Sequence, residues 1–264
     1  KDGKKLVFAA ANMLTQPLLT ADGQITGAQL KYFLVINGQE MELQSIPEFI
    51  AISLDGSKIA YMVIQNGREV LFVNGKEVRS HSELEEVGTL VFSPNGERMA
   101  YAAGLSQGYE NGNYLRIDGV KSKSYSLIGR EIVFSPYSKH LAFTAVDTKK
   151  DRKGYIILDS EEIASYELVT NMVFGPIYNL VFSPDSEKIA YVVAQKDGKA
   201  FVVVGDKKEP SYDKVANLHF SPDGNKIAYN TRLGRELWLR VDPIEQDKII
   251  TSNDNLEPKR LVHD

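Results

Sequence analysis

Residues Asn179 to Tyr191 read NLVFSPDSEKIAY, which predicts a strand, a tight turn and a second strand. The first four residues form a short, mostly apolar run with β-branched and aromatic side chains, which is typical of a buried strand. Ser183 and Pro184 occupy the first two positions of a type I turn, where serine and proline are preferred. The stretch therefore predicts a β-hairpin.

The same thirteen-residue pattern recurs along the chain. The four other copies are FIAISLDGSKIAY (Phe49 to Tyr61), TLVFSPNGERMAY (Thr89 to Tyr101), EIVFSPYSKHLAF (Glu131 to Phe143) and NLHFSPDGNKIAY (Asn217 to Tyr229). Their turn serines are 40, 42, 48 and 38 residues apart, at Ser53, Ser93, Ser135, Ser183 and Ser221. A period of about 40 to 50 residues with strand signals throughout is typical of the blades of a β-propeller.

The two chain ends together supply a sixth copy. RLVHD (Arg260 to Asp264) followed by KDGKKLVF (Lys1 to Phe8) aligns with the pattern without a gap. We therefore expect residues 260–264 to complete the first blade, so that the C-terminal strand pairs with the N-terminal blade and closes the ring. Closure would remove exposed strand edges. The prediction is an all-β, six-bladed β-propeller of four-stranded antiparallel blades, a single domain over residues 1–264.

The repeat resembles a known family. The S-P-D-G-x-K-I-A-Y pattern is similar to the WD-like (WD40-like) propeller repeat of the TolB type, a bacterial family in which six-bladed rings are common, and the resemblance covers essentially the whole chain. Local departures are Leu54 in place of the turn proline, and Tyr137, Ser138 and Ser186 in place of parts of Asp-Gly. The resemblance implies a periplasmic or extracellular location. Members of the superfamily include periplasmic partner-binding proteins, cell-surface proteins and gating domains attached to serine peptidases.

Composition excludes several classes of function. The chain has 31 Lys and Arg against 35 Asp and Glu, a net charge of −4 with mixed signs, so neither a nucleic-acid footprint nor a basic membrane patch is expected. No apolar run approaches the ~20 residues of a membrane helix, and no secretory signal begins at Lys1. The sequence has no cysteine, which excludes disulfides and thiolate metal sites.

Strand order predicts where binding residues gather. In a four-stranded antiparallel blade, the S-P-D-G turns and the turns between strands three and four share one side, here called the turn side. Loops between strands two and three and between blades share the other, the loop side. We expect the first blade to begin with a strand at Lys5 to Ala10. The long segments, all on the loop side, are residues 11–31, 104–113, 146–154 and 170–178. Because binding residues concentrate on loops held by a rigid scaffold, the functional surface is expected there, around the channel mouth.

Three of these segments supply the candidate binding residues. Tyr109, Asn111 and Asn113 offer an aromatic ring and amides on a glycine-flanked loop, or else ordinary hairpin-tip residues. Arg152 belongs to a charged tip that either attracts an acidic ligand or is simply solvated. Phe174 and Tyr178 lie in an apolar inter-blade loop that either packs inward or forms a patch for a partner.

The outer strands carry a regular Ser-Tyr column. It comprises Ser124-Tyr125, Ser165-Tyr166 and Ser211-Tyr212. A position that repeats from blade to blade is expected to be structural. The column therefore predicts packing of one blade against the next.

Few catalytic signatures are found in the sequence. It contains no H-E-x-x-H pair, P-loop or G-x-G-x-x-G fingerprint, and the repeated serines are explained by hydrogen bonds within the turns. We predict no catalytic residue, no metal ligand and no cofactor. The predicted function is a non-enzymatic scaffold that recognises a protein or peptide through the loop side. The alternatives are a propeller hydrolase or lyase with a metal at the channel mouth, or the gating propeller of a larger peptidase.

Overall fold

The structure is a computed structural model that describes residues 7–13, 18–19, 25–26, 30–80, 85–105, 112–169, 175–244 and 259–260. Within these residues the chain is all-β, with six antiparallel sheets of three or four strands and one two-stranded hairpin. We call the six sheets blades I to VI in chain order. None of the described residues belongs to a helix long and apolar enough to cross a membrane.

The strand bounds define the blades. Blade I contains β1 (Val7–Met13), β4 (Leu30–Ile36) and β5 (Gln39–Leu43), and β2 (Leu18–Leu19) pairs with β3 (Ile25–Thr26) as the separate hairpin. Blade II contains β6 (Phe49–Ile52), β7 (Ile59–Gln65), β8 (Arg68–Val73) and β9 (Lys76–Ser80). Blade III contains β10 (Glu85–Phe92), β11 (Met99–Leu105), β12 (Tyr114–Ile117) and β13 (Val120–Lys121).

The second half of the chain is more regular. Blade IV contains β14 (Leu127–Phe134), β15 (Leu141–Asp147), β16 (Lys153–Leu158) and β17 (Glu161–Glu167). Blade V contains β18 (Ile177–Phe182), β19 (Ile189–Ala194), β20 (Ala200–Val204) and β21 (Lys207–Tyr212). Blade VI contains β22 (Lys214–Phe220), β23 (Lys226–Leu233), β24 (Glu236–Pro243) and β25 (Lys259–Arg260).

The strands group into two compact units. The first unit, Lys1–Gly108, contains blades I and II together with β10 and β11 of blade III. The second unit, Tyr109–Asp264, contains β12 and β13 together with blades IV to VI. The candidate site described below lies entirely within the second unit.

The S-P-D-G serines hold their turns together, as the sequence predicts. Ser53 is 3% exposed; its hydroxyl donates to Asp55 Oδ1 at 2.6 Å and accepts from the Lys58 backbone N–H at 2.9 Å. The hydrogen bond from Ser53, supported by bonds from Ser57, lowers the pKa of Asp55 to about 2. The serine hydroxyl also accepts from the returning strand in the turns of blades III to VI, at Ser93, Ser135, Ser183 and Ser221. These serines therefore have a structural role.

Small residues at the last turn position allow positive φ. Gly56, Gly96 and Gly224 have φ between 70° and 72°, and Ser138 and Ser186 adopt 62° and 68°. The Ser186 hydroxyl accepts from the Tyr137 backbone N–H at 3.0 Å, so it also joins the turns of blades IV and V.

A bulge near the middle of the inner strand links neighbouring blades. The register of β18 against β19 shifts between Tyr178 and Val181, and Asn179 within the bulge has φ of 55°. Its backbone N–H donates to Glu131 Oε1 of blade IV at 3.1 Å. The bulge thus leaves a backbone donor that the preceding blade satisfies.

The hydrophobic core lies between blades. In the second unit, Ala142 and Ile156 of blade IV pack against Tyr191, Phe201 and other residues of blade V. A second cluster joins blades V and VI, and in the first unit a third joins Leu34 of blade I to Ile59 of blade II. Because the first two clusters cover blade V on both faces, its central strands β19 and β20 read as nearly continuous apolar runs.

The described residues test part of the prediction for the first blade. Among the described residues blade I has three strands, and β1 runs to Met13, beyond the expected end at Ala10. Arg260, which we expected in the first blade, instead pairs with Trp238 as part of β25 at the edge of blade VI. Residues 1–6 and 261–264 lie outside the described residues, so closure of the ring through them stays a prediction.

Candidate functional site

The outer-strand tyrosines pack blade against blade, which confirms the sequence prediction. Each tyrosine ring contacts aromatic rings of the next blade at centroid distances of 5.9 to 6.4 Å. The pairs are Tyr125 with Phe143 and Tyr155, Tyr166 with Tyr191 and Phe201, and Tyr212 with Tyr229. The three interfaces of the second unit therefore share one plan, and their differences are informative.

A carboxylate closes the interface between blades III and IV. Glu162 Oε1 accepts from the Tyr125 hydroxyl at 3.0 Å and pairs with Lys123 Nζ at 2.5 Å. Tyr125 is 4% exposed, and burial, followed by the nearby Glu162, raises its pKa. The hydroxyl therefore stays protonated at neutral pH and donates a hydrogen bond to the carboxylate.

A charge pair within blade VI holds Tyr229, the tyrosine that packs on Tyr212 of blade V. Asp242 accepts from the Tyr229 hydroxyl at 2.8 Å and from Arg240 at 3.0 Å. The side chains of Arg240 and Asp242 are only 18% and 13% exposed. Burial, followed by the hydrogen bond to Asp242, raises the pKa of Tyr229. The interface between blades V and VI, too, thus has a hydrogen-bonded charge pair beside its tyrosines.

The interface between blades IV and V has another composition at the same positions. Residues 114–125, 155–166 and 201–212 align without a gap, each running from the third strand to the Ser-Tyr column. In this alignment Ala164 takes the place of Lys123, and Lys208 takes the place of Glu162. Lys208 Nζ lies over the Phe201 ring, 3.8 Å from its centroid. The interface thus has a cation where its neighbour has the bridging carboxylate.

A cavity of about 1280 Å³ lies at this interface. We call it the IV–V cleft. Its floor is apolar and aromatic and includes Leu158, Ile163, Tyr166, Phe182, Tyr191, Val193 and Phe201. Beside the β20–β21 turn it continues to Pro243 and Ile244 of blade VI. The cleft is the outward continuation of the buried core between blades IV and V, because Tyr191, Val193 and Phe201 belong to both.

Charged residues surround the two ends of the cleft. At the loop side, Lys196 of blade V pairs with Glu167 of blade IV at 3.6 Å. At the turn side, His140 Nδ1 lies 2.5 Å from Asp159 Oδ2, and Asp159 Oδ1 also accepts from the Leu141 backbone N–H at 3.0 Å. The cleft therefore runs across the blades from the turn side to the loop side.

Two hydroxyls meet on the floor of the cleft. Tyr166 Oη and Tyr191 Oη are 3.0 Å apart, and either can donate to the other. Burial, and secondarily the hydrogen bond with Tyr166, raises the pKa of Tyr191. The hydroxyl that accepts in this pair keeps its own proton, so one O–H group can donate to a bound molecule.

The structure describes three of the six predicted binding residues. Tyr109, Asn111 and Phe174 lie outside the described residues. The Asn113 backbone forms two hydrogen bonds with Tyr125, of 2.6 and 2.7 Å, and its side-chain amide donates to the Ser126 carbonyl at 2.7 Å. That amide thus serves the packing of blade III.

Arg152 and Tyr178 have different surroundings. Arg152 is exposed with φ of 52°, and its carbonyl accepts from the Leu168 N–H at 3.1 Å. Tyr178 is half-buried against the core between blades V and VI, where its hydroxyl donates to the Val215 carbonyl at 3.4 Å, and burial raises its pKa.

The described part of the apolar inter-blade segment packs inward. Gly175 and Pro176 are buried, and Pro176 lies so close to Gly154 that a Cβ on Gly154 would be 2.5 Å from Pro176 Cδ. This contact brings the loop of Arg152 to the connection that precedes Tyr178.

Sequence reasoning missed Tyr191, Phe201 and Lys208 as candidate site residues. The signal that could have identified them is the ungapped alignment of the outer half-blades. There the exchange of Glu162 for Lys208 and of Lys123 for Ala164 marks one interface as different. The described residues also contain no group of three or more His, Cys, Asp or Glu placed to hold a metal ion.

Comparisons with known proteins support the fold alone. No protein-family model matches the chain, and no curated protein matches it. Among solved structures, the β-propeller domain of the trilobed protease from Pyrococcus furiosus is 13% identical, with a TM-score of 0.51, covering 93% of this chain and 83% of that one. The fold is propeller-like.

Two further structures are similar at low identity. A eukaryotic initiation factor is 13% identical with a TM-score of 0.53, covering 81% of this chain and 58% of that one. TolB from Acinetobacter baumannii is 20% identical with a TM-score of 0.40, covering 81% of this chain and 57% of that one. The chain therefore spans less than two thirds of the length of these two proteins.

Proposed function

We propose that the chain is a non-enzymatic binding scaffold that recognises a protein partner through an extended peptide segment. The observation that carries this proposal is the IV–V cleft, an open cavity with an apolar and aromatic floor and charged ends, which lies between two blades of the second unit. Its position at one of three otherwise similar interfaces suits a specific site. Following the family resemblance, we also propose a periplasmic or extracellular location.

The size of the cleft suits a peptide segment. Small-molecule pockets have volumes of roughly 300 to 1,000 Å³, whereas the IV–V cleft has about 1280 Å³. The cleft runs along β17, which has seven residues, and a strand of that length spans about 20 Å at ~3.3 Å per residue. An extended segment of about six residues would match that span.

The position of β17 suits recognition by strand addition. It is the last strand in the order β14-β15-β16-β17, and in the described part of the chain no further strand pairs with its outer edge. An extended peptide can add to such an edge through main-chain hydrogen bonds, while pockets for alternate side chains give specificity. The floor around Tyr166, Tyr191 and Phe201 would provide such a pocket.

The loop-side end of the cleft connects this proposal to the sequence predictions. Glu167 and Lys196 form that end, on the side where the long loops were predicted to gather. We propose that Tyr109, Asn111 and Phe174 contact parts of the partner that flank the bound segment.

The test uses one substitution inside the cleft and a matched one outside it. Ala164→Arg places a long side chain in the cleft, whereas Ser165→Arg adds the same side chain at the neighbouring, exposed position on the opposite face of β17. Peptides selected by display on the native chain are then measured by fluorescence anisotropy against all three proteins, with circular dichroism as a folding control.

We expect the selected peptides to bind the native chain and the Ser165→Arg variant with similar affinity. Binding to Ala164→Arg should fall at least about tenfold, because the inserted side chain occupies the apolar floor. Equal affinity for all three proteins, or no selected peptide at all, would overturn the proposal.

A further inference from the structure

The interface between blades III and IV, here called the template, has the same plan as the IV–V cleft and shows which contacts can close such an interface. In the template, one blade supplies Tyr125 and Lys123, and the next supplies the carboxylate of Glu162. The tyrosine hydroxyl and the ammonium meet the same carboxylate oxygen, Oε1. The three groups thus close the outer part of that interface.

The IV–V cleft keeps the tyrosine of the template and has an ammonium at the position of the carboxylate, and its described residues show no carboxylate bonded to both. Tyr166 corresponds to Tyr125, and its pair with Tyr191 leaves one O–H group able to donate. Lys208 supplies an ammonium from the opposite wall, at the position that Glu162 occupies in blade IV. The missing group is a carboxylate between a tyrosine hydroxyl and an ammonium.

The ammonium of Lys208 differs from its neighbours in its surroundings. Lys207 pairs with Glu209 at 3.4 Å, and Lys196 pairs with Glu167 at 3.6 Å. Lys208 instead lies over the Phe201 ring, within the cleft lining. A cation held on an aromatic face remains free to accept an anionic partner on its other side.

We propose that the segment bound in the IV–V cleft carries an acidic residue whose carboxylate meets Lys208 and the Tyr166–Tyr191 hydroxyls, next to an apolar or aromatic residue on the floor. This inference rests on the proposed function and names the chemistry of its ligand. The charge that is absent from the interface is supplied by the partner.

Other charges in the cleft limit the number of acidic residues in the segment. Glu187 and Asp206 line the turn-side end, Glu167 lies at the loop-side end, and Glu209, which pairs with Lys207, follows Lys208 along β21. These carboxylates would repel a second acid in the segment. The segment therefore carries one acidic residue, the one that meets Lys208, with neutral or basic residues on both sides.

The experiment uses three sets of acetylated, amidated octapeptides. Each set has a fixed central residue, Glu, Gln or Lys, between apolar or aromatic neighbours, so that terminal charges do not contribute. Affinity is measured by fluorescence anisotropy for the native chain, Lys208→Glu, Ala164→Arg and Lys199→Glu. Lys199 is exposed on the same blade outside the cleft lining, and its substitution makes the same change in net charge.

We expect the Glu set to bind the native chain and Lys199→Glu about fivefold more tightly than the Gln set, the upper range for a partly exposed ion pair. Lys208→Glu should reverse the preference towards the Lys set, which a purely structural role of Lys208 would not produce.

The failures of the two proposals are distinguishable. Equal binding of the Glu and Gln sets, still blocked by Ala164→Arg, would overturn the acidic ligand and leave the proposed function in place. If no set binds, or if Ala164→Arg changes nothing, both proposals fail.

Discussion

Glu162 is expected to couple blades III and IV energetically through the Tyr125 hydroxyl. Replacing Glu162 by Ala leaves that buried hydroxyl without its acceptor, which costs about 1–3 kcal/mol. Because the Lys123 side chain is 63% exposed, its ion pair adds at most ~0.5 kcal/mol after solvent screening. We therefore expect Glu162→Ala to lower the free energy of unfolding by about 2 kcal/mol and Tyr125→Phe by about 1 kcal/mol.

A double-mutant cycle separates the hydrogen bond from the other contacts of both residues. Urea unfolding can be followed by the fluorescence of Trp238, the only tryptophan of the sequence, which lies in the same unit. The loss of unfolding free energy in the double variant should be about 1 kcal/mol smaller than the sum of the losses in the two single variants. Lys123→Ala, as the control, should cost no more than ~0.5 kcal/mol. Single effects that add to within ~0.3 kcal/mol would refute the coupling.

Three further predictions concern the turns and the blade packing. The pKa of Asp55 is about 2, below its usual 3.8, so the contribution of its carboxylate to stability is complete above about pH 4 and is lost as pH falls towards 2. Between pH 5 and pH 2, the urea midpoint should therefore fall less in Asp55→Asn than in the native chain. An equal fall in the two proteins would contradict this prediction. Gly154→Ala should cost about 1–3 kcal/mol because its Cβ would overlap Pro176. In Gly88→Ala, the control, the new Cβ would lie 3.6 Å from its nearest neighbour. Its stability should stay within ~0.5 kcal/mol of the native chain, and thermal melting measures both variants. Ser183→Ala removes an acceptor and a donor that are 1% exposed, so it should cost about 1–2 kcal/mol and speed hydrogen exchange in its turn; unchanged exchange would argue against the role of the hydroxyl.

The repeated hairpins and the tyrosine column could be predicted from the sequence because both depend on local signals. A serine such as Ser53 bonds to residues two and five positions away, so the turn chemistry is contained in the repeat itself. The tyrosine of the Ser-Tyr column, such as Tyr166, recurs at a fixed distance from the turn that precedes it. A large aromatic residue that recurs in this way is expected to pack on the next blade.

The candidate site depends on residues that are distant in sequence. Ala164 and Lys208 lie on different blades, and only the fold places them at one interface. Asn113 illustrates the same limit, because its amide is bonded to a carbonyl thirteen residues away and not presented by the loop. The sequence predicted a functional surface on the loop side, whereas the cleft depends on which side chains meet between two blades.

The ungapped alignment of the outer half-blades has a consequence for how function can change in this fold. An interface can be opened or sealed by substitution at two positions, with no insertion and no change of loop length. A recognition site can therefore move from one pair of blades to the next during divergence while the backbone stays the same. Among related chains, the residues at the positions of Lys123 and Glu162 should track ligand choice better than the lengths of the loops.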